Sequence, residues 1–438
     1  MAKTTACPVK AHQMRTPSRH ELVGLALAIS LMACLLMACL TIAGCGGDSS
    51  SSPSPTPSPQ PTPVPGGSFA PLGSTPTMNQ ARKDATATPL PNGQVLIAGG
   101  QDSSGSLSSV ELYDPATNSF ASAASTPTMN TARSNATATL LPNGKVLIAG
   151  GFGTSFGPGG GTSGSLSSVE LYDPATNSFA SAASLPTMNT PRDGAAAALL
   201  PNGKVLIAGG GNLESPLDSG ELYDPVTNSF ASAASLPTMS DLRSAPTATL
   251  LPDGNVLIAG GLEGFTLNIP MISNSVDLYD PTTNSFAAAI SNPRMTAFRS
   301  EATATLLPNG KVLIAGGIGP GSSGPLTVTL NSVDLYDPAS NSFAPAASTP
   351  MMNQARTGAT ATLLNDGLVL IAGGAGGNES IVDLYDPATN SFVPAASTPR
   401  MNYARIFATA TLLSSGKVLI AGGTGVFGPL NTTDLYTQ

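Results

Sequence analysis

The sequence predicts an all-β fold built from repeated units. Of its 438 residues only 10% are charged, whereas Gly (47) and Pro (39) are abundant. This composition suits many short strands joined by turns. One pattern of residues also recurs seven times with fixed internal spacing. Because a repeat of this kind outweighs chain length as a guide to domain number, we expect one repeat domain to fill most of the chain.

Four landmark residues define each repeat: an Arg, the first Gly of a Gly-Gly pair, a Tyr and a Phe. The intervals from Arg to Gly and from Phe to the next Arg are constant in all seven copies, and so is Tyr to the following Phe wherever both occur. Only the stretch from the second Gly to Tyr varies; it is shortest from Gly374 to Tyr385 and longest from Gly151 to Tyr172. All length variation is therefore predicted to lie in one loop per repeat. The arginines are Arg82, Arg133, Arg192, Arg243, Arg299, Arg356 and Arg405.

Each repeat predicts four strands. ATATLL is the first, and the PNG or PDG that follows in most copies favours a hairpin turn with positive φ. KVLIAGG is the second, a continuous apolar run typical of a strand covered on both faces. SVELY is the third and ends at Asp-Pro, which favours a type I turn. NSFA is the fourth.

The pattern also predicts how the repeats pack. A lone four-stranded sheet with two apolar faces cannot bury both, so the copies must stack face to face. Small Ala and Thr in the first strand, with Tyr and Phe in the later strands, describe a wedge. Wedges that stack about an axis close into a ring, the architecture of a β-propeller.

The two ends of the repeat region complement each other. Residues 66–74 read GGSFAPLGS, and Phe69 precedes Arg82 by the same interval that separates every other landmark Phe from its Arg. The last repeat stops at LYTQ, before a fourth strand. We therefore predict that the N-terminal strand completes the last sheet and closes a ring of seven blades.

The repeat resembles a known family. A Gly-Gly pair after an apolar strand, followed by Tyr-Asp-Pro and an aromatic residue, resembles the kelch repeat, including the central propeller of the galactose oxidase family, over about residues 66–438. The usual fourth-strand Trp is Phe here. The resemblance implies a seven-bladed kelch-type β-propeller.

The resemblance to the galactose oxidase family also raises the question of catalysis. The copper-radical chemistry of galactose oxidase relatives needs histidine ligands and a Cys-Tyr crosslink. Both histidines (His12 and His20) precede residue 45, and Cys45 is the single cysteine from there on. That chemistry is therefore excluded, and we expect no catalytic residue, metal or cofactor in the domain.

The N-terminal part of the chain, before the repeats begin, has the features of an exported, anchored protein. An uncharged, mostly apolar run at 22–44 follows basic residues and ends in IAGC, which is a membrane-targeting pattern. The ending resembles the lipobox of bacterial lipoproteins, which implies cleavage before Cys45, lipid on Cys45 and an envelope location, with the outer membrane favoured. The alternative is a retained transmembrane anchor, since an apolar run of this length can span a bilayer.

These features divide the chain into three parts. We predict a lipoprotein signal peptide at 1–44, a Ser/Pro-rich stalk at 45–65 and the propeller at 66–438. Four of the 18 Lys and Arg but only one of the 26 Asp and Glu precede Cys45, which leaves 14 basic against 25 acidic side chains. Such an acidic surface opposes binding to nucleic acid, and we expect a monomer that contacts the membrane through its N-terminal lipid.

The variable stretches are predicted to share one face, together with the links between blades. We name this the variable-loop face. Loops that differ on a fixed scaffold usually carry recognition, so this face is the expected binding surface. Seven aromatic residues outside the repeat pattern map to it and are candidate ligand contacts, with loop packing as the alternative. They are Phe152, Phe156, Phe265, Phe298, Tyr403, Phe407 and Phe427.

An acidic residue stands two positions before each landmark Tyr. Seven cations matched by seven anions indicate structural Arg-carboxylate pairs that orient the blades, and the alternative is a free anion site. The acids are Glu111, Glu170, Glu221, Asp277, Asp334, Asp383 and Asp434.

The function predicted is a non-catalytic binding module, lipid-anchored in the cell envelope, that holds a protein or glycan on its variable-loop face. The alternative is an envelope glycan hydrolase or lyase that uses two carboxylates of that face, which can come from distant repeats. The acids near this face outside the repeat positions are Asp102, Asp193, Glu214, Asp218, Asp241, Glu263, Glu301 and Glu379.

Overall fold

The computed structural model describes residues 66–157, 160–212, 215–266, 269–321 and 327–438. One compact unit spans Pro61–Gln438. The signal peptide and stalk predicted for residues 1–65, with Cys45, lie outside the described residues. Within the described ranges no helix is long and apolar enough to cross a membrane.

The chain runs through its strands repeat by repeat. β1 (Ser68–Phe69) comes first. Repeat 1 contains β2 (Thr86–Pro89), β3 (Val95–Ala98), β4 (Gln101–Asp102), β5 (Gly105–Ser106), β6 (Val110–Asp114) and β7 (Ser119–Phe120). Repeat 2 contains β8 (Arg133–Ser134), β9 (Thr137–Leu140), β10 (Val146–Ala149), β11 (Phe152–Gly157), β12 (Gly160–Ser165), β13 (Val169–Asp173) and β14 (Ser178–Phe179). Repeat 3 contains β15 (Ala196–Leu199), β16 (Val205–Ala208), β17 (Leu217–Asp224) and β18 (Ser229–Phe230).

The later repeats follow the same order. Repeat 4 contains β19 (Thr238–Arg243), β20 (Thr247–Leu250), β21 (Val256–Ala259), β22 (Leu262–Thr266), β23 (Ile269–Ile272), β24 (Val276–Asp280) and β25 (Ser285–Phe286). Repeat 5 contains β26 (Thr303–Leu306), β27 (Val312–Ala315), β28 (Ile318–Pro320), β29 (Thr327–Thr329), β30 (Val333–Asp337) and β31 (Ser342–Phe343). Repeat 6 contains β32 (Thr360–Leu363), β33 (Val369–Ala372), β34 (Asp383–Asp386) and β35 (Ser391–Phe392). Repeat 7 contains β36 (Thr409–Leu412), β37 (Val418–Ala421), β38 (Thr424–Gly425), β39 (Gly428–Pro429) and β40 (Thr433–Thr437).

In the described ranges, six single-turn 3-10 helices follow the fourth strands of repeats 1 to 6. They are Ala123–Ser125, Ala182–Ser184, Ala233–Ser235, Ala289–Ser291, Ala346–Ser348 and Ala395–Ser397.

The four predicted strands of each repeat form one antiparallel sheet. In the described residues the orders are β2-β3-β6-β7, β9-β10-β13-β14, β15-β16-β17-β18, β20-β21-β24-β25, β26-β27-β30-β31, β32-β33-β34-β35 and β36-β37-β40-β1. The all-β prediction is therefore confirmed. The fourth strand is shorter than predicted, because only its Ser-Phe pair joins the ladder.

The second strand forms the core between neighbouring sheets. In repeat 1 all four residues of β3 are buried. Val95 and Ile97 pack with Leu419 of repeat 7, whereas Leu96 packs with Val146 of repeat 2. Since alternate residues of a strand point to opposite faces, one VLIA run fills two cores. Each fully buried Val, Leu or Ile contributes about 1.5–3 kcal/mol.

The turn between the first two strands differs in detail from the prediction. Gly93 has a φ of +86°, and its N–H donates to Leu90 O at 2.9 Å. Asn92 is not among the residues with positive φ. Only the glycine therefore takes the left-handed conformation, because Pro91 and Asn92 already complete the turn before it.

The Asp-Pro turn is held by an asparagine. Asp114 Oδ1 accepts a hydrogen bond from Ala116 N–H at 2.9 Å, and the Tyr113 hydroxyl donates to Asn118 Oδ1 at 3.0 Å. Asn118 Nδ2 donates in turn to Ser74 O at 3.2 Å. With a φ of +49°, Asn118 links the third strand of its own repeat to the chain before it.

The N-terminal strand pairs with the last strand of the chain. Phe69 in β1 lies opposite Tyr436 in β40, and their ring centroids are 5.4 Å apart. Ala70 N–H donates to Leu435 O at 2.9 Å. Repeat 7 thus receives its fourth strand from the start of the domain, as the Phe-to-Arg spacing predicts.

Extra hairpins occupy most of the variable stretches. Among the described residues, five such pairs lie outside the four-stranded sheets: β4-β5, β11-β12, β22-β23, β28-β29 and β38-β39. Repeat 3 differs, since its long third strand β17 also pairs with β19 of repeat 4. The sequence predicted loops here and did not indicate these strands.

Candidate binding face

The landmark arginine anchors the chain as it enters each repeat. Arg82 donates to Glu111 Oε1 at 3.0 Å, and both side chains are 1% exposed. Its Nη1 also donates to Gly99 O at 2.6 Å and to Ser109 O at 3.0 Å. One guanidinium therefore joins the end of the second strand, the start of the third strand and the acid within it.

The acid is fully engaged as well. Glu111 accepts hydrogen bonds from the N–H groups of Asn79 at 3.1 Å and Gln80 at 3.0 Å, and from Asn79 Nδ2 at 2.7 Å. Both carboxylate oxygens are thus used within the protein. A buried charge that is paired and hydrogen-bonded is a structural element, which leaves no carboxylate oxygen free for a ligand or for catalysis.

All seven predicted pairs lie within salt-bridge distance. The remaining partners are Arg133 with Glu170, Arg192 with Glu221, Arg243 with Asp277, Arg299 with Asp334, Arg356 with Asp383, and Arg405 with Asp434. The arrangement favours the structural interpretation over a free anion site.

The pairs differ in one respect. Arg243 and Arg299 donate to the aspartate from both Nε and Nη2, whereas Arg356 donates to Asp383 from Nε alone. The Nε of Arg82, Arg133, Arg192 and Arg405 is buried without a hydrogen-bond partner in the described residues. The first three of these four pair with glutamate and Arg405 pairs with Asp434, so the length of the acid alone does not explain the difference.

A second repeated feature lies two residues after each arginine. Here the backbone N–H of one repeat donates to the carbonyl of the preceding repeat, and Asp84 N–H donates to Phe407 O at 3.2 Å. The seven bonds return to their start, and we name this closed series the amide ring. All seven residues have positive φ; they are Asp84, Asn135, Gly194, Ala245, Glu301, Gly358 and Phe407.

The amide ring holds two acids. Burial raises the pKa of Asp84, and Lys83, whose Nζ is 3.7 Å from the carboxylate, opposes the rise. Burial also raises the pKa of Glu301, with a further rise from the charge of Asp84 and an opposing effect of the hydrogen bond from Thr357. The charge of one carboxylate therefore acts on the other, and both lie beside the variable loops.

The candidate aromatic residues have different environments in the part of the chain that the structure describes. Phe265 and Phe298 are 48% and 46% exposed and Phe427 is fully exposed. The Tyr403 ring lies 5.7 Å from the guanidinium carbon of Arg405, and Phe407 belongs to the amide ring. Phe152 and Phe156 lie in β11, where the side chain of Phe156 is outside the described residues.

Several exposed apolar side chains lie on neighbouring elements of repeats 4 and 5. β22 lies beside β19, and β23 lies beside β28. The backbone next to Phe298 is tied to the same hairpin, since Arg299 N–H donates to Ser273 O at 3.0 Å. We name this group of side chains the repeat 4–5 patch. Its exposed members are Leu242, Phe265, Ile269, Met271, Phe298 and Val328.

Three of the other acids of this face are engaged locally. Asp102 accepts from Ser104 and Gly105, and the hydrogen bond from the Ser104 hydroxyl is the main cause of its lowered pKa. Asp193 accepts from Ser165 at 2.5 Å and Asp241 from Ser275 at 2.6 Å. In the described residues no group of three His, Cys, Asp or Glu side chains could hold a metal ion. Glu214 lies outside the described residues.

Sequence reasoning missed Asp84 and the amide ring. A signal was present in the sequence, because four of the seven ring positions hold Asp, Asn or Gly and a fifth holds Ala. Asp, Asn and Gly are the residues that most readily adopt positive φ. The ring bonds join backbone atoms, however, so no repeated side chain marked them.

Comparisons with known proteins identify kelch motifs in part of the chain and one similar fold. A model of the kelch motif matches residues 86–127 and 194–237, and a second kelch motif model matches residues 133–186. No curated protein matches the chain.

Two solved structures share the architecture. One is a fungal alcohol oxidase of the AA5 family in complex with copper, with TM-score 0.63 and 18% identity over 85% of this chain and 76% of that one. The other is YjhT, with TM-score 0.53 and 17% identity over 73% of this chain and 98% of that one. At these identities the likeness concerns the fold.

The residues of this chain do not fit the copper of the oxidase. No histidine occurs after His20, and the described residues contain no metal-binding group of three His, Cys, Asp or Glu. The donor chemistry that the copper-radical site of galactose oxidase relatives uses is thus missing from the repeat region.

Proposed function

Because the chain carries kelch motifs on a β-propeller fold, we propose that it is a non-catalytic binding module that holds its partner on the variable-loop face. The observation that carries this proposal is the repeat 4–5 patch. It exposes Phe265, Met271 and Phe298 on neighbouring elements of the variable-loop face, whose loops differ in length between repeats. Phe265 lies opposite Pro270 in the β22-β23 register, so it points to the other face of this hairpin from Met271. Exposed apolar side chains gathered on neighbouring elements are typical of interaction sites.

The composition of the patch favours a protein partner over a glycan. Aliphatic side chains (Leu242, Ile269, Val328) accompany the two phenylalanines and Met271. Flexible methionine and aromatic residues are enriched in protein interfaces. Sugar binding would also need polar groups free to bond hydroxyls, and the acids Asp102 and Asp241 of this face already accept hydrogen bonds.

A triple variant tests the proposal. Phe265→Ser, Met271→Ser and Phe298→Ser remove most of the apolar area of the patch. The wild-type and variant domains are exposed to envelope proteins and to a glycan array, and the affinity of each captured partner is measured. We expect the variant to lose the protein partner, since a few central apolar contacts carry most interface energy.

A matched control uses exposed apolar residues elsewhere. Leu72, Val226 and Ile290 are 67%, 92% and 98% exposed outside the variable stretches, so their replacement by Ser removes comparable area. This control variant is expected to bind as the wild type does. Equal binding by the patch variant, or a glycan partner that the patch variant retains, contradicts the proposal.

We further infer that the repeat region is a closed ring of seven blades. Four observations support this inference. β1 completes the sheet of repeat 7, β36 of repeat 7 lies beside β2 of repeat 1, and the seven bonds of the amide ring return to Asp84. Leu419 and Val95 also share one core cluster across the join.

The location of the protein is a separate proposal. The IAGC sequence at residues 42–45 supports lipidation of Cys45 and an envelope location, with a stalk at 45–65 and the outer membrane favoured. Mass analysis of the mature N-terminus tests it. We expect a chain that begins at Cys45 with added acyl groups, whereas an unmodified chain that retains residues 22–44 would show a transmembrane anchor instead.

A further inference from the structure

The seven bonds of the amide ring are unequal, and the weakest lie on either side of Glu301. Glu301 N–H donates to Ala245 O at 3.4 Å, and Gly358 N–H donates to Glu301 O at 3.4 Å. The other five bonds measure 2.9 to 3.2 Å. Because a hydrogen bond weakens as it lengthens beyond about 3.2 Å, the ring is loosest at one residue.

That residue carries one of the two ring acids. Asp84 and Glu301 are three positions apart in the ring, which is the greatest separation that seven positions allow. The remaining ring residues bear no ionisable group. Charged groups one residue outside the ring are Lys83, which pairs with Asp84 at 3.7 Å, and Asp193, which accepts from Ser165. No basic group is paired with Glu301 in the described residues.

We propose that the amide ring is a proton-responsive closure, tightest when Glu301 carries a proton and looser when Glu301 and Asp84 are both ionised. The Glu301 carboxyl is half-buried and accepts a hydrogen bond from the Thr357 hydroxyl at 2.9 Å, and a buried carboxylate without a basic partner is unfavourable when ionised. Glu301 can regain contact with water by moving outward, and its two long backbone bonds are the ones that such a movement breaks.

The electrostatic balance agrees with this direction. Burial, together with the charge of Asp84, raises the pKa of Glu301 from its ordinary value of 4.5. A carboxyl whose pKa is raised in the folded protein binds its proton more tightly there than in the unfolded chain. Its contribution to stability is therefore complete below pH 4.5 and is lost as pH rises through the folded value.

Hydrogen exchange measures the ring directly. The protection factors of the Glu301 and Gly358 amides, corrected for the intrinsic effect of pH on exchange, are followed from acid to neutral pH in the intact domain. We expect both to fall by about fivefold or more as pH rises, the lower end of ordinary coupling between two sites. The amides of the second strands, such as Leu96, should not follow this titration.

Two ring variants and one control decide the outcome. Glu301→Gln keeps an acceptor for the Thr357 hydroxyl and should remove the pH dependence. Asp84→Asn should reduce the pH dependence. Asparagine already occupies the equivalent ring position in repeat 2, as Asn135. Glu263→Gln changes an acid outside the ring and should leave the pH dependence unchanged. Wild-type protection that does not respond to pH, or full pH dependence in either ring variant, overturns the proposal.

Discussion

Asp334 accepts a hydrogen bond of 2.6 Å from Arg299 while no more than 1% of either side chain is exposed. The same carboxylate accepts from Thr296 N–H and from the Thr296 hydroxyl, each at 2.7 Å. The pair therefore joins the link that enters repeat 5 to the third strand of the same repeat. Because the pair is buried, the contribution of each partner to the free energy of unfolding depends on the presence of the other.

Removal of one partner should be costly. In Arg299→Met the carboxylate of Asp334 stays buried without its counter-charge, and we expect a loss of about 3–5 kcal/mol in the free energy of unfolding. The double variant R299M/D334N should recover part of that loss, because the amide carries no charge and still accepts from Thr296. Denaturant unfolding of the three proteins measures both effects.

A partly exposed ion pair in repeat 2 provides the control. Lys145 and Asp173 are 3.2 Å apart, but their side chains are 38% and 27% exposed. Lys145→Met should therefore change the stability by less than about 1 kcal/mol. Equal losses for Arg299→Met and Lys145→Met would show that burial does not determine the energy of these pairs.

The N-terminal strand offers a second prediction. Without residues 66–74, Tyr436 loses the Phe69 ring at 5.4 Å and β40 loses its outer neighbour. We expect a lower melting temperature for the deletion variant. A synthetic GGSFAPLGS peptide should restore part of it in a concentration-dependent way, because a ligand that binds only the folded state stabilises it.

A scrambled peptide of the same composition is the control and should have no effect. Gly67 allows a sharper comparison, because its φ is +56° and an added Cβ would meet the Tyr436 hydroxyl. A Gly67→Ala peptide should therefore bind poorly. Unchanged thermal unfolding after deletion of residues 66–74 would contradict the closure.

The repeated parts of the fold could be predicted from the sequence. VLIA runs, Asp-Pro turns and Arg-acid landmarks keep fixed spacing because each copy meets the same neighbours, so pattern and structure agree strand by strand. The Arg82 and Glu111 pairing also followed from charge matching. The hairpins β11-β12 and β22-β23 did not, since their Gly-rich or irregular sequences occur once and lack a repeated period.

The candidate site was harder to predict for a related reason. The seven aromatic residues were grouped by their position along the chain, but Phe407 belongs to the amide ring while Phe265 and Phe298 lie on the repeat 4–5 patch. Position in a repeat specifies the face and not the distance from the ring centre. Exposure, which distinguishes Phe427 from Tyr403, depends on neighbours from other repeats that a single repeat does not encode.

The asparagine of the Asp-Pro turn should contribute to stability in two separable ways, through its side-chain hydrogen bonds and through its tolerance of positive φ. Asn228 has a φ of +49°, accepts from the Tyr223 hydroxyl at 3.0 Å and donates to Ser184 O at 3.1 Å. Asn228→Gly keeps the backbone conformation and loses both bonds, at a cost of about 1–3 kcal/mol.

Asn228→Ala should cost about 1 kcal/mol more, because alanine is disfavoured in the left-handed region. Urea unfolding of the two variants measures the difference. Equal stability of the glycine and alanine variants would show that the positive φ at this turn contributes nothing to the choice of asparagine.

The landmark tyrosines predict a loss of stability at alkaline pH. Burial raises the pKa of Tyr336, Tyr385 and Tyr436 from 10.0 to about 12, and nearby aspartates add to the effect. The unfolded chain releases these protons near pH 10 and the folded chain near pH 12. Folding is therefore destabilised progressively as pH rises from 10 to 12, since the unfolded state binds fewer protons in that interval.

Ultraviolet titration of phenolate, read beside circular dichroism, measures this linkage. Phenolate from these three tyrosines should appear only as the β signal is lost. Tyr336→Phe removes the hydroxyl that donates to Asn341 at 3.0 Å and should cost about 1 kcal/mol at neutral pH. The same variant should lose stability less steeply above pH 10 than the wild type, because one titrating group is gone. Ionisation of all the landmark tyrosines near pH 10 in a protein that keeps its β signal would refute the assignment.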